Sequence, residues 1–336
     1  MNEQPSEQPP VNEDVEFAAR TDLSAFHAAM ERVKGEIGKR IVGQPALIEL
    51  MLTALLADGH LLIEGVPGVA KTLSAKLLSR SLDMAFARLQ FTPDLMPSDV
   101  LGTSVFNAKS TEFEFRRGPI FAQLVLIDEI NRAPAKTQAA LFESMEERQI
   151  TIDGHTYPLQ PPFMVVATQN PIEQEGTYRL PEAQLDRFLF KVNVGYPNLD
   201  EEVEILTREQ AQPATRDLSE IQPVLMAEEV RHYQAMMQEI RIEPNLMRYI
   251  VEIVQATRHS REIYLGASPR ASLNLLHTSR ALAAIRGRDF VTPEDIQYLC
   301  GPVLQHRITL TPEREMEGAT PEEVVRRMVE GVEVPR

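Results

Sequence analysis

Apolar positions along this chain follow two periods, and the change from one to the other divides it. Leu23, Phe26, Met30, Val33 and Ile37 recur at three- and four-residue intervals, one face of a helix. Residues 46–56 predict a second helix after a break at Ile41-Val42-Gly43-Gln44. Leu61-Leu62-Ile63 is a short unbroken apolar run that leads into a Gly/Pro-rich turn, and helical spacing resumes at Leu73, Lys76, Leu77 and Arg80. Residues 85–91 alternate as a strand does, whereas 123–127 read as a strand that is continuously apolar from Leu124 on, as at the centre of a parallel sheet buried on both faces. Further strands are predicted at 163–168 and 188–194, with helices at 134–147 and 181–186. Asp153-Gly154 joins 149–152 to 155–159 in a hairpin. Residues 92–120 read as a turn-rich insertion around two β-like runs, 103–106 and 112–115.

Beyond Asp200 only helical periods are found, at about 200–209, 226–239, 244–258, 269–286 and 293–305. Thr292-Pro293-Glu294-Asp295 is a helix start with a hydroxyl cap, a first-turn proline and an acid to close the box, and Thr320-Pro321-Glu322-Glu323 repeats it. The expected organisation is an acidic, proline-containing disordered tail over residues 1–20, an α/β domain over 21–197 and a smaller helical domain over 198–336.

Composition narrows the function. The net charge of −15 argues against general affinity for the phosphate backbone of nucleic acid, so no nucleic-acid partner is expected. Cys300 is the only cysteine, which excludes an intrachain disulfide and a Cys-x-x-Cys metal site; the seven histidines show no zinc spacing. No apolar run approaches the roughly 18 residues of a membrane span and the first 20 residues lack a signal peptide's apolar core, so a cytoplasmic protein without membrane insertion is expected.

The chemistry concentrates where strands end. The order strand, Gly/Pro-rich loop, helix at residues 61–72 is that of a polyphosphate cradle, in which loop N–H groups and the positive helix end face the anion. Lys71 would neutralise the β- and γ-phosphates, and the Thr72 hydroxyl would ligate Mg²⁺. Ala70 stands where the strict Gly-x-x-x-x-Gly-Lys-[Ser/Thr] pattern has glycine, so Gly65 and Gly68 are expected to supply the backbone freedom that Ala70 lacks. Asp128 and Glu129 close a buried strand beside that loop; Asp128 would hold Mg²⁺ through water and Glu129 would orient the water that attacks the γ-phosphate. Asn170, after another strand, is placed to hold that water or the γ-phosphate. Arg187 is either a finger reaching the γ-phosphate of a neighbouring subunit or half of a salt bridge to Asp186 or Glu182. Arg270 opens a helix against the dipole, which hints at an anionic partner. Arg132 either contacts a neighbouring subunit or coats a loop.

Taken in order, GVPGVAKT, LVLIDEINRA, VVATQNP, LPEAQLDRF and GASPR resemble the MoxR family of AAA+ ATPases over nearly the whole chain beyond the tail. Ala70 is what that family's version of the loop carries. The resemblance implies a P-loop AAA+ parallel sheet sandwiched by helices, followed by an all-α lid. It places ATP on Gly65, Val66, Pro67, Gly68, Val69, Ala70, Lys71, Thr72 and Leu73, with Val42 and Gly43 lining the adenine pocket. Walker B falls on Asp128 and Glu129, sensor 1 on Asn170, the arginine finger on Arg187 and sensor 2 on Arg270. Gln90 is a candidate polar switch on Glu129. The inserts at 92–120 and 149–159 match the helix-2 and pre-sensor-1 inserts of that clade.

The activity so implied is Mg²⁺-dependent ATP hydrolysis by a homo-hexamer that remodels or matures client proteins, including metal-centre insertion into partners with von Willebrand factor A domains. A competing reading is a motor of another kind from the same clade, magnesium-chelatase-like or DNA-handling. A scaffold that binds ATP without turning it over is disfavoured by the intact Glu129.

Overall fold

The computed structural model describes residues 21–66, 68–170, 178, 180–211, 218 and 220–335; the expected tail over 1–20 and the loop residue Pro67 lie outside them. The chain opens with helices α1 (Ser24–Gly38) and α2 (Pro45–Leu56), then strand β1 (Leu61–Gly65) and helix α3 (Lys71–Ser81). Strand β2 (Phe86–Gln90) precedes the insertion, which folds as a short helix α4 (Pro97–Leu101) and a hairpin of β3 (Gly102–Asn107) and β4 (Glu112–Arg117). The helix was not expected from sequence; its five residues are too few to show a period, and it is fixed by the Met96 N–H donating to Asp99 Oδ2 at 2.8 Å. Then follow β5 (Leu124–Asp128), α5 (Ala135–Glu147), the hairpin β6 (Gln149–Ile152) and β7 (His155–Pro158), β8 (Met164–Gln169), α6 (Glu182–Leu185) and β9 (Phe190–Val194).

The five longer-range strands form one parallel sheet in the order β2-β5-β8-β1-β9. Pairing is in step: Gln90 lies opposite Asp128, Ile127 opposite Ala167, Thr168 opposite Ile63, and Gly65 opposite Val194. The carboxyl ends of all five strands therefore share one edge. Since β1 has later strands on both sides, the strand order reverses there, which is where open α/β sheets form their clefts.

Side-chain alternation sends the two faces of the sheet into two cores. Leu61, Ile63, Leu124, Leu126, Met164 and Val166 join the core built on α1, α2 and α3. Leu62, Val125, Ile127, Val165 and Ala167 join Leu141, Phe142 and Met145 of α5 on the other face. This double burial is why the central strands carry no polar side chain until they reach the edge.

The rest of the chain is helical: α7 (Leu199–Ala211), α8 (Ala227–Met236), α9 (Pro244–His259), α10 (Pro269–Ile285), α11 (Pro293–Leu304), α12 (Pro312–Met316) and α13 (Pro321–Glu330). The acid closes the box at both Thr-Pro starts, the Thr292 N–H donating to Asp295 Oδ2 at 3.0 Å and the Thr320 N–H to Glu323 Oε2 at 3.2 Å; the Thr320 hydroxyl also caps, accepting from the Glu323 N–H at 3.3 Å, whereas the Thr292 hydroxyl donates to Asp295 Oδ2 at 3.3 Å. The strand pair β10 (Ile263–Leu265) and β11 (Thr309–Leu310) departs from the expectation that no strand follows Asp200. Runs of two and three residues show no alternation, and their pairing depends on helices that bring distant segments together. Helix α10 packs on α1 and α2, and its buried residues continue the first core.

Candidate active site

At the carboxyl edge of the sheet lies a cleft of about 370 Å³ lined by Gly68, Ala70, Lys71, Thr72, Leu73, Arg88, Gln90, Asp128, Glu129, Thr168 and Asn170. Parallel register brings Gln90, Asp128, Glu129, Thr168 and Asn170 together at or just beyond strand ends, with Arg88 two residues inside β2, and the loop after β1 delivers Lys71, Thr72 and Leu73 at the start of α3. The Thr72 hydroxyl donates to Asp128 Oδ1 at 3.2 Å, the Thr168 hydroxyl donates to the same oxygen at 3.3 Å, and Arg88 Nε donates to Asp128 Oδ2 at 2.7 Å. Both carboxylate oxygens of this buried aspartate are thus engaged. Lys71 Nζ reaches back to the Gly65 carbonyl oxygen. Glu129 accepts from Gln90 Nε2 at 2.8 Å and from Arg132 at 3.2 Å, while its own N–H donates to Thr168 Oγ1 at 3.1 Å. Arg132 is therefore turned onto its own chain's Glu129.

The loop corrects one expectation. Ala70 itself takes the left-handed conformation, φ 58° and ψ 18°, and Gly68 has φ 91°. An L-residue there costs about 1–2 kcal/mol, so the loop stores strain at its turn into α3 rather than delegating it to glycine. Glu129 is left-handed as well, at φ 58°. Gly65 answers a different demand: a Cβ there would stand 2.5 Å from the Val194 carbonyl oxygen of β9. Val69 is buried in the core and Val66 packs against it, so they anchor the loop from behind. Val42 and Gly43 do not line this cleft. They sit beside its start, where Gln44 Nε2 donates to the Gly195 carbonyl oxygen at 3.4 Å and the Glu201 carboxylate covers the Cα of Gly43.

Arg187 and Arg270 lie elsewhere. Arg187 Nη2 is 2.9 Å from Glu146 Oε2, and Arg270 Nη1 is 3.7 Å from Glu146 Oε1, so one carboxylate at the end of α5 holds both guanidiniums. The salt bridge weighed for Arg187 is real, with a different acid, because Asp186 is taken by buried Arg307 at 2.7 Å. Together with His60, Arg148 and Asn274 they line a second cavity, of about 170 Å³. It lies at the amino edge of the sheet: the His60 carbonyl accepts from the Leu189 N–H just before β9, and Arg148 donates to the Phe163 carbonyl just before β8. Burial, with Arg148 adding to it, pushes the pKa of His60 down to about 3, and the ring bridges the Val165 N–H and the Met145 carbonyl in its neutral form.

Sequence reading missed Arg88, Thr168 and Glu146. Two of these left a signal: Arg88 is two residues before Gln90, and Thr168 two before Asn170, so strand alternation puts each on the face of its neighbour. Glu146 left none, since its meaning depends on two arginines far away in sequence.

Comparison with known proteins agrees with this geometry. Residues 60–190 match the model of the ATPase family associated with various cellular activities (AAA), and 255–328 match the AAA lid domain. The chain is 44% identical to Chaperone MoxR1 of Mycobacterium tuberculosis, over 94% of this chain and 84% of that one. It is 48% identical to YeaC of Bacillus subtilis, over 92% and 96%. The crystal structure of a candidate ATPase from Cytophaga hutchinsonii superposes with a TM-score of 0.86 at 40% identity, covering 94% of this chain and 97% of that one. With the phosphate-loop strand, the acid-tipped strand beside it and the helical lid all in place, the chain belongs to the MoxR family of AAA+ ATPases and is an ATP hydrolase.

Proposed function

We propose that this ATPase acts as a ring of identical subunits, with each ATP held in a seam and hydrolysis coupled to remodelling of a client protein. The observation that carries the reading is the separation of the two halves of the site. Lys71, Thr72, Asp128 and Glu129 stand at one edge of the sheet, and Arg187 and Arg270 stand at the other. A strand of five residues spans about 16 Å, more than a guanidinium can bridge within one chain. The two arginines therefore serve the cleft of the next subunit, where their forks match γ-phosphate oxygens.

Within the cleft, the loop N–H groups and the start of α3 cradle the phosphates, Lys71 neutralises their charge, and Asn170 holds the γ-phosphate or the attacking water. The hydroxyl and carboxylate of Thr72 and Asp128, 3.2 Å apart, are the hard oxygen donors that suit Mg²⁺. Bound there, Mg²⁺ offsets negative charge on the β- and γ-phosphates. Glu129 orients and polarises water once its carboxylate is freed from Gln90 and Arg132.

The chaperone reading rests on the name of the Mycobacterium tuberculosis relative, and a client with a von Willebrand factor A domain rests on family resemblance. A cytoplasmic setting fits a chain in which, among the described residues, no helix is long and apolar enough to cross a membrane. The test mixes two inactive variants. Arg187→Ala keeps its own cleft and Glu129→Gln keeps its arginine, so mixed rings contain complete seams and regain ATPase activity. Absence of recovery at every ratio would rule out shared sites. Lys71→Ala should lose ATP binding altogether; undiminished affinity would remove Lys71 from the site.

A further inference from the structure

Helix α7 is mounted with its polar side inward. Glu201 and Arg208, seven residues apart and so on one face, make its contacts with the body: the Glu201 carboxylate covers Gly43, and Arg208 Nη1 donates to the Gly38 carbonyl oxygen at 2.8 Å. Asn198 caps the start, its side chain accepting from the Glu201 N–H at 3.0 Å. On the opposite face Leu199, Val203 and Leu206, spaced by four and three, form an apolar seam that is 79%, 55% and 69% exposed. None of the 13 residues is buried. A helix of this length is marginal in water by itself, and its stabilising face is turned to solvent. Such a seam marks an interaction surface.

We infer that the outer face of α7 docks on the lid of a second copy of this chain, against Tyr264, Leu265 and Leu273. This deepens the ring reading and rests on it. Three observations select that occupant. Helix α7 begins five residues after Val194, which pairs with Gly65 at the mouth of the phosphate loop, so the seam borders one half of the divided site. Tyr264, Leu265 and Leu273 are 78%, 49% and 56% exposed and border the other half: Leu273 is one turn after Arg270, and Leu265 shares a cavity with Asp186, which also lines the Arg187–Arg270 cavity. The charges are complementary, with exposed Glu202 beside the seam and exposed Arg261 and Arg270 beside the receiving patch. Because the two patches differ, the contact is head-to-tail and propagates into a ring. Docking them would bring Arg187 and Arg270 of one copy toward the phosphate loop of the next.

The test uses full-length protein carrying Glu129→Gln, with ATP and Mg²⁺, in sedimentation velocity. The seam variant Val203→Asp/Leu206→Asp and the patch variant Tyr264→Asp/Leu273→Asp should each sediment as single chains where the parent is assembled. Each should retain ATP affinity within about twofold, which also reports folding of the cleft. Mixed together they should form a heterodimer and nothing larger, since one intact seam meets one intact patch. Assembly of the seam variant like the parent, or a mixture that stays monomeric, would overturn the inference. If the seam variant assembles normally while Arg187→Ala and Glu129→Gln still complement each other, the ring stands and only this contact is wrong. If they do not complement, the ring reading has failed too.

Discussion

Gln90 Nε2 donates to Glu129 Oε2 at 2.8 Å across two adjacent strand ends, tying the carboxylate that would orient water to the far strand of the sheet. Arg132 holds the same oxygen at 3.2 Å. A carboxylate engaged twice is a poor base for a third partner, so the cleft as described is restrained.

Releasing it should raise basal turnover. Gln90→Ala removes a charge-assisted hydrogen bond worth on the order of 1–2 kcal/mol, which predicts a roughly 5- to 30-fold faster client-free ATPase rate. Steady-state phosphate release measures this. A slower rate would mean that Gln90 positions Glu129 productively instead of restraining it.

In the proposed ring, Glu146, which holds Arg187 and Arg270, would compete for them with the phosphates bound by the next subunit. All three side chains are partly exposed, so the pairs add little to the stability of a single chain. Glu146→Gln should therefore leave the unfolding midpoint nearly unchanged and lower the protein concentration at which ATP drives assembly. An analytical ultracentrifugation series with ATP would show the shift, and an unchanged assembly midpoint would separate Glu146 from the seam.

Ala70 invites the opposite substitution to the usual one. Ala70→Gly removes about 1–2 kcal/mol of left-handed strain and returns part of it through greater freedom of the unfolded chain. The expected net effect is a Tm higher by about 1–3 °C with ATP hydrolysis retained. Calorimetry on both proteins decides it; a lower Tm would show that the alanine methyl packs usefully.

His60 should make stability pH-dependent on the acid side. Folded, it stays neutral down to about pH 3; unfolded, it titrates near 6.5. Its contribution is fully present above pH 6.5. Below that the unfolded chain takes up a proton that the folded chain refuses, and stability falls by about 1.4 kcal/mol per pH unit. His306, buried beside Arg307, adds to the same slope. Urea unfolding between pH 7.5 and 5 should give a shallower loss for His60→Gln than for the parent, and parallel curves would exclude His60 as a source of the slope.

Much of this molecule is written locally. The apolar runs at Leu61-Leu62-Ile63 and Leu124 to Ile127, the turn before Lys71-Thr72 and the Asp128-Glu129 pair at a strand end each express a preference that a few neighbouring residues settle among themselves. The α/β class, the change to helices after Asp200 and the phosphate-loop cleft follow from such preferences. The Thr-Pro helix starts do as well, because a cap and its acid lie three residues apart. What needed the folded chain is pairing at long range. Strand order decides that Gln90 meets Glu129 and Arg88 meets Asp128; loop closure decides that Ala70 bears the strain expected of glycine. Glu146 gains its two arginines only because α5 returns to the amino edge of the sheet, where α6 and α10 also end or begin. The seam of α7 reads as an ordinary amphipathic helix in sequence, since periodicity reports that one side is apolar and cannot report which side faces the body.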